Sequence, residues 1–300
     1  MDRWPWHLTS EKAWPASGTT VKTGVMRLIE EARSDGIDIR WNGAPGIAVS
    51  SSPFTPRANI GRISVDLTGS EITIDGEKLA AMATDWIPDP DEDEVVSRVT
   101  GILGEKHVRA DPVTINGHQM RVDMTIEDAP LEWIAVRRGG QLLGTFGEGH
   151  DDERRATGRF RFSMHQDDLN DLVMSLAAPA VKKAIRLGSL TAAKVSVQPT
   201  GQRRFTVAAG IAARLAILKF SARVGFDIEL SADGSEITVH HAAATSKRLL
   251  SKLALLPLRD QFRRLAGRTV PLGDDELRVH GVTVDVTDNN LTVAGRVRAA

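Results

Sequence analysis

The chain has 300 residues, 41% of them hydrophobic and 26% charged, with a net charge of −1. That composition suits a globular protein of one large domain or two ordinary ones. The absence of cysteine excludes disulfides, thiolate metal sites and a cysteine nucleophile, and fits a reducing compartment. The charge is divided unevenly. Residues 1–150 carry 15 Lys+Arg against 23 Asp+Glu, a net −8, and residues 151–300 carry 23 against 16, a net +7. Such an asymmetry turns the second half toward an anionic surface, phospholipid or nucleic acid, or matches the two halves to each other.

In chain order, Met1 to Ser10 holds no apolar run of signal-peptide length, and no stretch approaches the roughly 18 apolar residues of a membrane helix. A soluble chain without a signal peptide is expected. Trp4, Trp6 and Trp14 crowd among Pro5 and Pro15; tryptophans in such a segment sit at a membrane interface or pin a loose end onto a domain. Val21 to Arg33 is an amphipathic helix with Val25, Leu28, Ile29 and Ala32 on one side and Gly36 as its stop. Ile63, Val65 and Leu67 alternate with Arg62, Ser64 and Asp66, a strand with one wet face. Residues 87–94 are an exposed acidic connector leading into a short helix. Strands follow over 107–115 and 118–127; in the second, Met120, Val122, Met124 and Ile126 oppose Gln119, Arg121, Asp123, Thr125 and Glu127. Gly147 to Glu153 reads as a polar hairpin loop. Next comes a strand in which Phe160, Phe162 and Met164 oppose Arg159, Arg161 and Ser163.

Asp167 or Asp168 can cap a helix with the stripe Leu169, Leu172, Val173, Leu176, Ala180 and Ala184, kinked at Pro179. Ala216 to Leu230 has apolar residues at every even position and no hydrophobe at the odd positions from Lys219 onward, with Leu218, Phe220, Val224, Phe226 and Ile228 on the apolar face. As a strand it would span about 50 Å. His240 and His241 are adjacent on a strand and are expected on opposite faces. About Ser246 to Leu265 is a basic amphipathic helix, with Pro257 either kinking it or starting a second piece: Lys247, Arg248, Lys252, Arg259, Arg263 and Arg264 stand against the single acid Asp260, with a leucine stripe alongside. Strands over 277–286 and 291–298 close the chain. Gly69-Ser70-Glu71-Ile72-Thr73 recurs as Gly234-Ser235-Glu236-Ile237-Thr238 at a matching place in the order, which suggests duplication.

These elements predict an α+β fold: a long curved antiparallel sheet wrapped around amphipathic helices, built as two pseudo-repeated halves. The corresponding segments are a Trp-rich 1–17, a first αβ half over 18–150, and a second, basic half over 151–300, the two halves being separate or one continuous domain. The second half resembles the actinobacterial LmeA-like proteins, named for maintenance of lipomannan elongation. The resemblance lies in Ser163 to Leu176 with Asp168-Leu169-Asn170-Asp171-Leu172, in the alternating strands of Leu190 to Val239, and in Val270 to Arg298. That last segment holds Val270-Pro271-Leu272-Gly273, Val282 to Asp288 and Leu291 to Gly295. The resemblance implies a β-rich lipid-binding fold of the cell envelope, akin to tubular lipid-binding domains, with no catalytic residues. The chain differs from that family's usual pattern in opening without a leader peptide, which points to the cytoplasm or the inner face of the membrane.

The expected function is therefore non-catalytic binding of a phospholipid or lipid intermediate. Leu169, Leu172, Val173, Leu176, Leu218, Phe220, Val224, Phe226 and Ile228 would meet acyl chains or form an ordinary core. The basic helix would meet an anionic membrane surface or pack its leucines on the sheet. The alternative is a structural interaction module with a solid apolar core and an acidic protein partner. No nucleic-acid partner is expected, since no aromatics interleave with the basic residues to stack bases. Neither a zinc-protease spacing, nor a hydrolase elbow, nor a phosphate loop is present, so no enzyme activity and no cofactor are expected. Glu148, His150, Asp151, Asp152 and Glu153 read as a solvated turn rather than a metal site.

Overall fold

The computed structural model describes residues 7–33, 36–52, 59–79, 90–149, 155–172, 188–215, 218–245, 264–273 and 277–299, with the backbone alone for 188–193 and 211–222. Among the described residues strands dominate. The first sheet is built on a hairpin of two very long strands, β5 (Glu94–Ile115, 22 residues) and β6 (His118–Arg138, 21 residues). Each runs about 70 Å at the usual rise per residue. The turn between them is Asn116-Gly117, both at positive φ (49° and 87°). Asn-Gly is the dipeptide that turns a tight hairpin.

On one side of β5 lie β3 (Asn59–Asp66) and β4 (Glu71–Ile74), both parallel to it, with β2 (Gly46–Ser52) beyond β3 and β1 (Ile37–Arg40) beyond β4. On its far side β6 is shared lengthwise: Leu131–Arg138 pairs with β7 (Gln141–Glu148), and Met120–Glu127 pairs with β8 (Thr157–His165). From β8 the sheet continues through β15 (Asn290–Ala299) to β14 (Leu277–Thr287). The second sheet has the order β13 (Thr269–Pro271), β12 (Glu236–Thr245), β11 (Leu218–Leu230), β10 (Arg204–Leu215), β9 (Gly188–Pro199).

The expected strand pairs over 107–115 with 118–127 and 277–286 with 291–298 both form. Their turns, Asn116-Gly117 and Asp288-Asn289, place both central residues at positive φ. The first pair runs far beyond its expected ends, because Val95 to Leu103 also pairs with Ala129 to Val136, so that the short helix expected after 87–94 is replaced by strand from Glu94 onward. Of the segment expected as a Gly147–Glu153 hairpin loop, Gly147 and Glu148 extend β7 and 150–153 lie outside the described residues; β7 and β8 pair with different lengths of β6, not with each other.

The α+β expectation, with a sheet wrapped around amphipathic helices, is overturned. Among the described residues the helices are α1 (Gly18–Ala32), the four-residue α2 (Gly76–Leu79), a turn of 3₁₀ helix, the segment 166–172 and the two helical residues Arg264 and Leu265 at the end of the helix expected over 246–265. The reason is in the alternation. Period-two patterning runs through most of the chain, so strands become one another's partners and leave little length for helix. Nor do two equivalent halves appear. The first sheet takes β1 to β8 and then β14 and β15, while β9 to β13 form a sheet of their own. Both copies of Gly-Ser-Glu-Ile-Thr follow a turn with glycine at positive φ, 72° at Gly69 and 64° at Gly234. Yet β4 pairs in parallel with β5, whereas β12 lies antiparallel between β11 and β13.

The helix expected over Val21 to Arg33 forms three residues earlier because Ser17 caps it, its hydroxyl accepting the Thr20 N–H at 3.3 Å. It buries Val21 and Gly24 at one end of the first sheet. The core there is Trp14, Val21, Ile60, Leu131, Trp133, Ile134, Val136 and Leu143. Trp14 meets Trp133 edge-on with ring centroids 4.7 Å apart, and its indole N–H donates to the Thr145 carbonyl at 3.2 Å. Of the two readings of the N-terminal tryptophans, Trp14 follows the pinning one; Trp4 and Trp6 lie outside the described residues.

Among the described residues several contacts join the second sheet to the first, an isolated bridge between Gly273 and Arg278 being one. The Gly281 N–H donates to the Asp233 carbonyl at 2.6 Å and the Val282 N–H to the Gly234 carbonyl at 3.2 Å. A Cβ on Gly234 would run into the Val282 backbone. The segment 166–172 serves as the second clamp. Gln166 and Asn170, one helical turn apart and both buried, accept the backbone N–H groups of Val197 (2.9 Å) and Val195 on the outer strand β9.

Candidate functional site

The site is a matter of sheet faces, and register decides which side chains share one. In the second sheet, Val224, Phe226 and Ile228 of β11 lie opposite Ala209, Val207 and Phe205 of β10. Val195 and Val197 of β9 continue the Val224 and Phe226 rows on one side, and Ala242 and Val239 of β12 extend the Phe226 and Ile228 rows on the other. Phe205 is 3% exposed, but Val224, Phe226 and Ile228 are half-buried. Leu218 and Phe220 belong to the same strand, opposite Leu215 and Ala213; their side chains lie outside the described residues. Leu169 and Leu172 are half-buried on the segment clamped to β9, which is two strands away from β11. Val173 and Leu176 lie outside the described residues, as do Lys247, Arg248, Lys252, Arg259 and Arg263. Arg264 is described and exposed.

A second apolar face, on the first sheet, was not among the sequence-derived site residues. Three rows cross β6, β8, β15 and β14: Met120–Met164–Leu291–Val286, Val122–Phe162–Val293–Val284 and Met124–Phe160–Gly295–Val282. The rings of Phe160 and Phe162 are 5.7 Å apart, and the bare Gly295 leaves room for the Phe160 ring. Phe162 is 37% exposed, and most of the others are half-buried. The signal was legible in the alternation around Phe160 and Met120. What sequence could not supply was the adjacency, since β15 and β8 are 125 residues or more apart at every pairing.

The opposite face of the same strands is polar and rich in arginine. Its rows run Asp66–Arg109–Asp123–Arg161–Ala294, Ser64–His107–Thr125–Arg159–Arg296–His280, and Glu105–Glu127–Thr157–Arg298–Arg278. His107 reaches Asp123 at 3.3 Å, Arg121 reaches Asp111 at 2.9 Å and Arg62 reaches Glu105 at 3.2 Å. The Asp66 carboxyl is held below the usual carboxylate range by hydrogen bonds from Thr68, with the Arg109 charge adding to them. Thr125 is 1% exposed and its hydroxyl meets no hydrogen-bond partner among the described residues. Buried hydroxyls ordinarily find one.

His240 and His241 do not point to opposite faces. A bulge between Asp227 and Ile228 sets His241 opposite Asp227, while the His240 ring reaches the Glu229 carboxylate at 2.7 Å. The extra residue cancels the alternation, and both rings share the polar face. That contact and the 2.8 Å pair with Arg204 hold the Glu229 carboxyl below its ordinary range. Among the described residues no three histidine or carboxylate side chains are placed to hold a metal ion; His150, Asp151, Asp152 and Glu153 lie outside them. No described helix is long and apolar enough to cross a membrane.

The chain matches no family model, and no curated protein and no solved structure shows detectable similarity to it.

Proposed function

We propose that this protein binds a phospholipid or other acyl lipid, without catalysis, on the apolar sheet faces that Phe162 and Phe226 mark, at the bacterial cell membrane. One observation carries the reading: large apolar side chains stand in continuous rows across four strands and yet stay half-exposed, with Phe162 at 37%. A contiguous exposed apolar surface marks a binding site more often than an accident of folding. An acyl chain laid along such a face gains about 0.8 kcal/mol for each CH₂ it buries. The resemblance to LmeA-like proteins supports the same substrate class.

The test is native mass spectrometry of the purified protein, followed by organic extraction. Lipid is expected at near one-to-one, and Phe226→Asp and Phe162→Asp are each expected to lower its occupancy. A clean apo mass, with no uptake from phospholipid vesicles, would favour the structural interaction module. The solid packing around Trp14 and Trp133 already suits that second reading at one end of the molecule.

A further inference from the structure

The polar face of β8, β15 and β14 carries arginines that the fold itself does not use. Antiparallel register sets Arg159 directly opposite Arg296, which faces His280 on its other side. One row along, Arg298 faces Arg278. Arg161 stands two residues from Arg159 on the same face. All five arginines are exposed, and among the described residues none has a carboxylate partner at ion-pairing distance. The acids nearby are taken or offset. Asp123 holds His107 at 3.3 Å and Asp111 holds Arg121 at 2.9 Å, while Glu127 and Asp285 lie opposite Thr157 and Thr292. Like charges directly opposite one another destabilise a sheet. The fold tolerates this grid, and a bound anion would relieve it.

The face is also shaped. Two cavities of about 390 and 300 Å³ adjoin on it, sharing Asp123 and Arg161. Arg109 and Arg121 line the first, and Arg159 and Arg296 line the second. Planar guanidinium forks suit phosphate oxygens, which they bind in pairs. Phe160 also lines the second cavity, yet among the described residues no Phe or Trp stands in these polar rows, since alternation turns the Phe160 and Phe162 side chains to the opposite side of the sheet. The described rows thus offer no series of aromatics on which nucleic-acid bases could stack.

The geometry points to this groove as the docking surface for the phosphate headgroups of an anionic phospholipid bilayer. The inference rests on the lipid reading above and adds to it which side of the protein meets the membrane. It assigns that contact to strand arginines rather than to the basic helix expected over 246–265.

The test uses the full chain and a triple variant, Arg159→Gln, Arg161→Gln and Arg296→Gln. Co-sedimentation is measured with vesicles of phosphatidylcholine alone and of phosphatidylcholine mixed with phosphatidylglycerol. The wild type is expected to bind only the mixed vesicles, less tightly as salt rises. The triple variant is expected to lose about a hundred-fold in partitioning, given what each basic side chain contributes at an anionic surface. Because the variant removes the Arg159–Arg296 repulsion, it is expected to melt no lower than wild type, so a loss of binding is not a loss of fold. Equal binding by both proteins would overturn the proposal. So would a wild type that ignores the mixed vesicles, or that binds single-stranded RNA as tightly as it binds them. Native mass spectrometry of the same variant separates the two readings. Retained acyl lipid with unchanged vesicle binding sinks the docking surface alone, whereas lipid missing from both proteins sinks the acyl site.

Discussion

Asp233 shows how a single residue sets a turn. Its carboxylate accepts hydrogen bonds from the hydroxyls of Ser231 (2.7 Å) and Ser235 (2.9 and 2.8 Å) and from the Ser235 N–H (3.2 Å). Ser231 contributes most, then Ser235, and together they pull the carboxyl from 3.8 down to about 2. A depressed carboxyl stabilises the fold above its unfolded value and loses that contribution as pH falls through its folded one. The window here is therefore pH 3.8 down to about 2. Asp233→Asn is expected to melt below wild type at neutral pH, with the difference closing across that window. Thermal melts of both proteins between pH 7 and pH 2 check it, and a gap that ignores pH would show the charge to be irrelevant. The turn is legible in the sequence as Asp-Gly-Ser, a dense cluster of turn formers. Its bond to β14 is not legible, because Gly281 lies 48 residues from Asp233.

At the scale of elements, the segment 166–172 is the informative one. Its apolar stripe read as a helix lying over the sheet. The structure instead uses its polar positions: Gln166 and Asn170 accept the Val197 and Val195 N–H groups on the edge of β9. An unpaired sheet edge recruits other strands, so a cap of this kind guards against aggregation. Removing one acceptor leaves a part-buried N–H unpaired, which costs about 1 kcal/mol, the low end for a lost partner. Gln166→Ala and Asn170→Ala are each expected to speed hydrogen exchange at Val197 and Val195 respectively, and to raise aggregation of the pair. Exchange that stays slow in both would mean the edge is protected by something else. The bulge at Asp227/Ile228 teaches a related lesson. Alternation assigns faces correctly until one residue is inserted, and nothing in the run His240-His241 announces the insertion.

At the scale of the whole molecule, the apolar residues are divided by function. Around Trp133 they are packed to exclusion of water, with Trp133 at 0% and Ile134 and Leu143 at 1% exposure. On β8 and β11, by contrast, Phe160, Phe162, Val224, Phe226 and Ile228 stay half-exposed. Trp133→Ala is expected to cost about 3–5 kcal/mol, the usual loss for emptying a large aromatic site. Denaturant unfolding measures this, while lipid occupancy per folded molecule should stay at the wild-type level. A parallel loss of lipid from the folded fraction would mean that the packed end and the exposed faces are one site. The uneven charge acquires a place as well. The arginines of β8, β14 and β15 gather on one face, while Arg109 and Arg121, from the acidic half, face acids of their own.

The sequence by itself determined many of the strands, the wet and dry side of most of those, the α1 helix and the two turns at Asn116-Gly117 and Asp288-Asn289. All of these follow from period and turn chemistry acting over a few neighbouring residues. Only the tertiary structure decided that β15 lies beside β8, that β6 is shared between β7 and β8, and that two sheets form in place of two halves. It also decided that lone arginines on separate strands become a grid and that two adjacent histidines share a face. Strand pairing joins residues more than a hundred positions apart through backbone hydrogen bonds that any residue but proline can make. The identity of a strand's neighbour is therefore settled by packing and register across the whole chain, not by the residues of that strand.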